Sequence, residues 1–249
     1  MKNSFGEPVG KDTRMCGPRT MQVAVAGAQG RMGRMICEAL RSAPGFALVA
    51  EVDREDDLRA ALVASGARVL VDFTIPAVGA DHLDLAIELG VHPVIGTTGI
   101  PKERLDAAVS RAREKRLGGV VAANFAIGAV LMIELARRAA QHLPAVEIIE
   151  AHHPGKLDAP SGTSLRTRER LVEVVGSLRE IPIHSVRLPG FVASQEVILG
   201  GPGERLSIRH DTLDRSCFAP GILLAIRRAP TIEELLLDLA PLVLGRDAR

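Results

Sequence analysis

A short apolar strand, a glycine-rich turn and a helical pattern follow one another near the start of the chain. Residues 22–26 are the apolar run, and Gly27, Gly30 and Gly33 mark the turn. In such a unit, the first two glycines allow the backbone to approach a pyrophosphate, and the third allows the helix to pack on the strand. The GxxGxxG spacing differs from the commoner GxGxxG form. It still predicts the first strand and helix of a dinucleotide-binding α/β fold.

The same alternation of strand and helix continues to about residue 141. Hydrophobic periodicity predicts strands at 47–52, 68–73, 91–95 and 120–123, and helices at 77–89, 102–116 and 127–141. Alternation of this kind predicts a parallel sheet covered by helices on both faces. The strand ends carry glycine, threonine and asparagine. We expect them to fall along one edge of the sheet, where a nicotinamide ring and its ribose would lie.

An acidic and a basic residue stand together at the end of the second predicted strand. Asp53 can hold the hydroxyls of an adenosine ribose, and the neighbouring Arg54 can accept a 2′-phosphate. This pair leaves NADH and NADPH both open as cofactors. The alternative for Asp53 is a solvated carboxylate at a strand end.

Residues 147–164 contain the densest group of titratable and anion-binding side chains in the chain. A short apolar strand precedes them, and Pro154 and Gly155 break regular structure, so His152, His153 and Lys156 belong to a loop. Lysine is scarce in this chain, whose 31 basic residues are mostly arginine. A desolvated lysine can release its proton and act as a general acid, which arginine cannot.

Less specific interpretations of this loop stay open. Lys156 can form a surface ion pair with Asp158 or Glu150. The two histidines can be satisfied loop residues or adventitious metal ligands. Ser161 or Thr163 can cap a helix predicted at 164–175, whose free N–H groups favour a carboxylate or a phosphate. We therefore expect an anionic ligand here and no metal site.

The sequence pattern changes after the helix predicted at 164–175. Strands predicted at 183–188, 195–199 and 204–210 are joined by turns rich in proline and glycine, which favours an antiparallel or mixed sheet. Two helices are then predicted, at 220–227 and 231–242. We expect residues 21–126 and 216–249 to form a dinucleotide-binding domain, and 127–215 a substrate-binding and oligomerisation domain. Residues 1–20 are polar and broken by glycine and proline, so we expect a disordered extension, or a start codon chosen upstream of Met21.

The amino-acid composition argues against several classes of binding partner. A net charge of +1 and the absence of tryptophan and tyrosine give no reason to expect nucleic acid. No apolar run approaches the roughly 20 residues that a membrane helix needs. The three cysteines are far apart, which argues against a disulfide framework or a cysteine zinc site and fits a reducing cytoplasm.

The run from Glu147 to Thr163 resembles the signature of the 4-hydroxy-tetrahydrodipicolinate reductase family of the diaminopimelate and lysine pathway. Residues 27–33, 72–74, 96–99, 122–125 and 209–221 are also similar to that family, so the resemblance covers about residues 21–230. It implies a Rossmann-like domain and a second α/β domain on a mixed sheet. It also implies a small dicarboxylate substrate, NADH or NADPH as cofactor, and a homotetramer.

The resemblance assigns roles by motif position. His152 is the expected proton donor or acceptor and Lys156 the proton donor. Substrate carboxylates would be held by His153, Ser161, Gly162 and Thr163. Cofactor contacts are expected at Gly27, Ala28, Gln29, Gly30, Arg31, Met32, Asp53, Arg54, Gly96, Thr97, Thr98, Ala122, Ala123, Asn124 and Phe125.

The sequence departs from the family's pattern at two places, and two alternative functions stay open. Ser164 replaces the family's usual alanine or glycine, for which we expect a local effect at the helix start. The loop at Pro154 and Gly155 lacks the extra basic residues of some members, which weakens attraction to a dianionic substrate. The alternatives are another two-domain nicotinamide dehydrogenase, such as an amino-acid or sugar dehydrogenase, and a catalytically silent dinucleotide sensor.

Overall fold

The computed structural model describes residues 20–143, 145–176 and 180–245. Residues 1–19, which make up nearly all of the predicted extension, lie outside the described residues. The described chain forms a parallel sheet, a mixed sheet, and helices around both.

Six parallel strands form the first sheet, in the order β2, β1, β3, β4, β5, β10. They are β1 (Met21–Ala26), β2 (Phe46–Val52), β3 (Val69–Asp72), β4 (His92–Ile95), β5 (Gly119–Val121) and β10 (Leu235–Leu236). The strand order reverses between β1 and β3. In open α/β sheets, ligands bind beyond the carboxyl ends of the strands at such a reversal.

Helices cover both faces of this sheet, as the sequence predicts. They include α1 (Arg31–Ser42), α2 (Leu58–Ser65), α3 (Pro76–Leu89) and α4 (Lys102–Glu114). Successive residues of β1 alternate between two hydrophobic clusters: Val23 and Val25 pack in one, and Ala24 and Ala26 in the other. α2 is not among the predicted helices. It begins after Asp57, whose carboxylate accepts the Ala60 N–H at 3.0 Å.

The second sheet is mixed, which confirms the predicted fold class. Its strands are β6 (Ala145–His152), β7 (Ile183–Arg187), β8 (Ala193–Gly201) and β9 (Glu204–Thr212), in the order β7, β6, β8, β9. β7 runs parallel to β6, and the other pairs are antiparallel. α5 (Ile127–Ala139) and α6 (Gly162–Val175) contribute Ala136 and Leu171 to the hydrophobic cluster on this sheet.

The C-terminal segment corrects one prediction. The helix predicted at 220–227 exists as α7 (Ala219–Arg228), but the one predicted at 231–242 is wrong. Instead, β10 pairs in parallel with β5, and only a short helix, α8 (Ala240–Leu244), follows it. Leu235 is buried against Val121. A short apolar run fits strand and helix equally well, and here pairing at the open sheet edge decides.

Helices long and apolar enough to cross a membrane are absent from the described part of the chain.

Candidate active site

The glycine turn folds back against the end of β2. Gly27 has a left-handed φ of +73°, and its N–H donates to the Val52 carbonyl at 2.8 Å. α1 begins at Arg31 after Gly30, with no side-chain cap and no acidic residue in its first turn. The first N–H groups of a helix lack partners within the helix. This end of α1 therefore suits a pyrophosphate.

Gly33 marks the closest approach of α1 to this turn. A Cβ atom at position 33 would lie 2.0 Å from the Gly27 carbonyl oxygen and 2.7 Å from Ala28 Cα. We expect Gly33→Ala to lower the free energy of unfolding by about 1–3 kcal/mol, because the backbone must move apart. We expect it also to weaken NADH binding.

Urea denaturation and cofactor titration measure both effects. Gly200→Ala is the matched control, since a Cβ at position 200 would meet nothing within 4 Å. Equal stability losses in the two variants would contradict the close packing.

Asp53 lies beside the turn, as its predicted role requires. Its carboxylate accepts the Gln29 N–H, with oxygen to nitrogen distances of 3.0 and 3.3 Å. The neighbouring Arg54 is exposed. The structure thus brings Asp53 together with residues 27–30 at the carboxyl edge of the sheet.

A buried carboxylate that the site prediction left out stands at the end of β3. Asp72 is fully buried and accepts hydrogen bonds from His82 Nδ1 at 2.6 Å and Thr97 Oγ1 at 2.5 Å. It also accepts the Thr74 N–H at 3.0 Å. Burial raises the pKa of this carboxyl, but the hydrogen bonds outweigh burial and hold the pKa below its usual value. The Thr97 hydroxyl is therefore engaged inside the protein.

Other predicted cofactor residues pack around Phe73. A Cβ at Gly96 would lie 2.0 Å from the Phe73 ring, and the rings of Phe73 and Phe125 have centroids 5.5 Å apart. The ends of β3, β4 and β5 therefore meet as predicted. Thr98 and Ala123 are exposed beside them, and Ala122 is buried.

Asn124 lies between the end of β5 and the start of α6. Its Oδ1 accepts the Ala126 N–H at 2.8 Å, which fixes the amide, and its Nδ2 lies 3.4 Å from Thr163 Oγ1. A cavity of about 320 Å³ is lined by Ala122, Ala123, Asn124 and Thr163. Predicted cofactor residues and a predicted substrate residue thus share one cavity. Among the described residues, no hydrogen bond joins residues 27–32 to residues 152–163.

His152 ends β6, and its imidazole is hydrogen-bonded to one end of the ion pair between Glu150 and Arg187. Its Nδ1 lies 2.5 Å from Glu150 Oε2, and Glu150 is fully buried. Arg187 on β7 donates to both carboxylate oxygens of Glu150, at 2.9 and 2.8 Å. Neither Glu150 nor Arg187 is among the predicted site residues. Glu150 could have been suspected, because a carboxylate inside an apolar strand needs a partner.

The environment keeps the His152 imidazole neutral. Burial lowers its pKa, and the nearby charges of Lys156 and Arg187 add to this, while Glu150 opposes it. The pKa of Glu150 is lowered: burial raises it, but the hydrogen bonds from Arg187, Ser185 and His152 outweigh burial. With an ionised Glu150 accepting the Nδ1 proton, Nε2 is left as the unprotonated nitrogen.

Lys156 follows on the predicted loop. Its Nζ lies 2.8 Å from Asp158 Oδ1, and its side chain is only 22% exposed. The alternative ion pair with Asp158 is therefore real, whereas Glu150 is paired with His152 and Arg187 instead. Arg187 also donates to the Asp158 carbonyl at 2.7 Å, which ties the loop to β7.

The start of α6 completes the site. Ser161 is the N-cap, and its hydroxyl accepts the Ser164 N–H at 3.2 Å. The helix therefore begins at Gly162, two residues before its predicted start, and Gly162 and Thr163 present free N–H groups. The Ser164 hydroxyl donates to the Ser161 carbonyl at 2.8 Å. His153 is half-buried on the loop that leads to this helix.

Three half-buried imidazoles predict an acid-sensitive fold. Burial lowers the pKa of His92, His152 and His210. Below about pH 6.5 these histidines bind protons in the unfolded chain but stay neutral in the folded protein. The free energy of unfolding therefore falls as the pH falls. We expect the Tm to drop between about pH 7 and pH 5, before the carboxylates titrate. Scanning calorimetry measures this, and His92→Gln should reduce the slope. A flat Tm over that range would contradict it.

The fold and the site together define a class of protein, an α/β oxidoreductase with a parallel and a mixed sheet that uses a nicotinamide dinucleotide. Models of dihydrodipicolinate reductase match residues 21–125 for its N-terminus and 128–240 for its C-terminus. The chain belongs to the dihydrodipicolinate reductase family, which confirms the resemblance seen in the sequence and NADH or NADPH as its cofactor.

Individual relatives also support membership of this family. The chain is 42% identical over 246 residues to the 4-hydroxy-tetrahydrodipicolinate reductase of Geobacillus kaustophilus, covering 83% of this chain and 93% of that protein. It is 40% identical over 237 residues to the enzyme of the same name from Coxiella burnetii, covering 90% and 99%. A dipicolinate-bound dihydrodipicolinate reductase from Paenisporosarcina superposes with a TM-score of 0.82 at 35% identity, covering 89% and 98%. A probable dehydrogenase from Thermotoga maritima, at 12% identity and a TM-score of 0.62 over 90% and 93% of the two chains, shares the fold alone.

Proposed function

We propose that this chain reduces 4-hydroxy-tetrahydrodipicolinate to tetrahydrodipicolinate with NADH or NADPH, in diaminopimelate and lysine biosynthesis. One observation carries the proposal. The relay from Arg187 through the buried Glu150 to His152 lies beside Lys156 and the free start of α6. This grouping offers a proton source and an anion site within one loop, as reduction of a dicarboxylate requires.

The residues that would hold the cofactor fit it. The uncapped start of α1 and the close approach at Gly33 suit a pyrophosphate, and Asp53 suits the adenosine ribose. Exposed Arg54 leaves room for a 2′-phosphate. When bound, a reduced nicotinamide supplies a hydride.

The acid and base roles divide between Lys156 and His152. As hydride reaches an electron-poor ring, negative charge develops elsewhere on it, and a nearby ammonium both stabilises that charge and donates a proton. Lys156 is the proton donor, held beside Asp158. The neutral His152 offers Nε2 as an acceptor and a route by which a proton is exchanged.

The substrate carboxylates would meet the start of α6. Free N–H groups at Gly162 and Thr163 form the positive end of the helix dipole. His153 and Ser161 flank this end. Asn124, 3.4 Å from Thr163, would bring the same carboxylates close to the nicotinamide side.

We assign residues 21–126 and 216–249 to a dinucleotide-binding domain, and 127–215 to a substrate-binding and oligomerisation domain. Two features support the return of the chain to the first domain: β10 pairs with β5, and Ile222 and Ile226 of α7 pack with the core of β1.

We also propose a homotetramer in the cytoplasm. β9 is an edge strand of the mixed sheet, and its Leu206 is 40% exposed. An open edge strand is a site for pairing with another chain. Light scattering should give the mass of four chains, and a monomer at micromolar concentration would contradict the proposal.

A steady-state assay tests the function. Freshly generated 4-hydroxy-tetrahydrodipicolinate is mixed with each reduced nicotinamide, and the loss of nicotinamide absorbance is followed. We expect turnover with at least one of them. Cofactor binding without turnover would indicate the silent sensor instead, and turnover only with an amino acid or a sugar would indicate another dehydrogenase.

A further inference from the structure

A small polar cavity lies between the mixed sheet and the starts of α5 and α6. It has a volume of about 30 Å³, and its lining includes His152, Thr163, Gln195 and His210. A water molecule needs about 10–15 Å³ of such space. The cavity therefore has room for one hydroxyl-sized group beside two residues assigned to substrate chemistry.

Gln195 is the residue of this cavity whose hydrogen bonding is incomplete. It lies on β8, opposite Glu150 of β6 and His210 of β9, and is 5% exposed. Its Nε2 donates to Thr167 Oγ1 at 2.7 Å. Its Oε1 is buried with no partner among the described residues. Buried acceptors of this kind nearly always have a donor.

The orientation of the amide is fixed by its neighbour. Thr167 has one hydroxyl proton, which it donates to the Thr163 carbonyl at 2.8 Å. With that proton on the bond to Thr163, the Thr167 oxygen accepts from Gln195, so the amide nitrogen faces Thr167. Reversing the amide would require the Thr167 hydroxyl to break its bond to the Thr163 carbonyl and turn towards Gln195. The unpartnered atom is thus the oxygen, and the missing group is a donor.

The nearest catalytic group does not supply that donor. His152 gives its Nδ1 proton to Glu150, and its lowered pKa leaves Nε2 without a proton at neutral pH. The substrate's carboxylates carry no protons either. Among the described residues, no protein donor is bonded to Oε1, and two sources of an O–H group outside the protein are solvent water and the ring hydroxyl in the name of the relatives' substrate.

We propose that this cavity binds one hydroxyl group, with Gln195 Oε1 as its acceptor. The group is a resident water molecule or the hydroxyl of the bound substrate. The second source rests on the proposed function, and the first does not. In either case Gln195 adds hydroxyl recognition beside the carboxylate site at the start of α6.

The test combines a crystal structure of the ligand-free enzyme with the kinetics of Gln195→Met, which keeps the length of the side chain and removes the acceptor. Thr167→Val is the matched variant, because it releases the other end of the amide and keeps Oε1. Dipicolinate is the second probe. It carries two carboxylates and no ring hydroxyl, so its inhibition constant reports the carboxylate site alone.

A water bonded to Oε1 in the ligand-free crystal supports the resident-water form. A dry cavity, with a KM for the hydroxylated substrate raised about tenfold in Gln195→Met and not in Thr167→Val, and with unchanged dipicolinate inhibition, supports the substrate-hydroxyl form. A dry cavity with any other kinetic result overturns the proposal, as does a protein donor bonded to Oε1. If the wild-type enzyme reduces no such substrate, the proposed function fails, and the crystal alone decides this inference.

Discussion

Replacing Lys156 by alanine should lower kcat by about two to four orders of magnitude, the range typical for loss of a general acid. In the proposed mechanism its Nζ donates the proton, and the neutral His152 has no proton at Nε2 to offer in its place. Affinity for NADH should change little, because the contacts around the glycine turn are intact. Steady-state kinetics and cofactor titration measure the two quantities.

Two further variants separate the proton from the charge. Lys156→Arg keeps a positive charge but cannot release a proton, so it should stay close to the alanine variant. Lys102→Ala removes another lysine paired with an aspartate, Asp106 at 2.5 Å, on an exposed helix, and should leave kcat unchanged. Near-normal turnover in Lys156→Ala would overturn the role of the lysine.

Glu150→Ala should be the most destabilising single change at the site. Glu150 is fully buried and accepts hydrogen bonds from both His152 and Arg187. Removing one partner from a buried ion pair leaves an uncompensated charge and costs about 3–5 kcal/mol. His152 also loses the bond that fixes its ring, so kcat should fall in whatever enzyme remains folded.

A neighbour on the same strand provides the control. Glu147 pairs with His184 at 2.8 Å, with both side chains more than half exposed. Such surface pairs contribute about 0–1 kcal/mol, so Glu147→Ala should change the free energy of unfolding little. Urea denaturation compares the two variants. Similar losses would mean that the buried relay does not hold this part of the fold together.

The sequence predicts the two sheets well, because strands buried on both faces and helices with one apolar side leave strong periodic patterns. Prediction from the sequence fails where the hydrophobic pattern and the tertiary packing favour different structures. Leu235 and Leu236 look like part of a helix, and only the open edge of β5 makes them a strand. The helix at Leu58–Ser65 is short, and its periodicity is weak.

The candidate site also contains residues that the sequence predicts and residues that it does not. His152, Lys156 and Thr163 can be found because they stand in one contiguous motif. The residues that support them cannot, because Arg187 reaches Glu150 from β7 and His82 reaches Asp72 from α3. The remaining signal is a charged or amide side chain inside an apolar strand, as at Glu150, Asp72 and Gln195. Such a residue needs a buried partner, and its identity appears only in three dimensions.

The most direct test is a crystal structure with a nicotinamide dinucleotide and dipicolinate bound together. We expect the nicotinamide ring beside residues 122–125, the dipicolinate carboxylates at the N–H groups of Gly162 and Thr163, and the Lys156 ammonium within hydrogen-bonding distance of the dipicolinate ring. A complex in which Lys156 and His152 point away from both ligands, with Lys156 still paired only to Asp158, would contradict it.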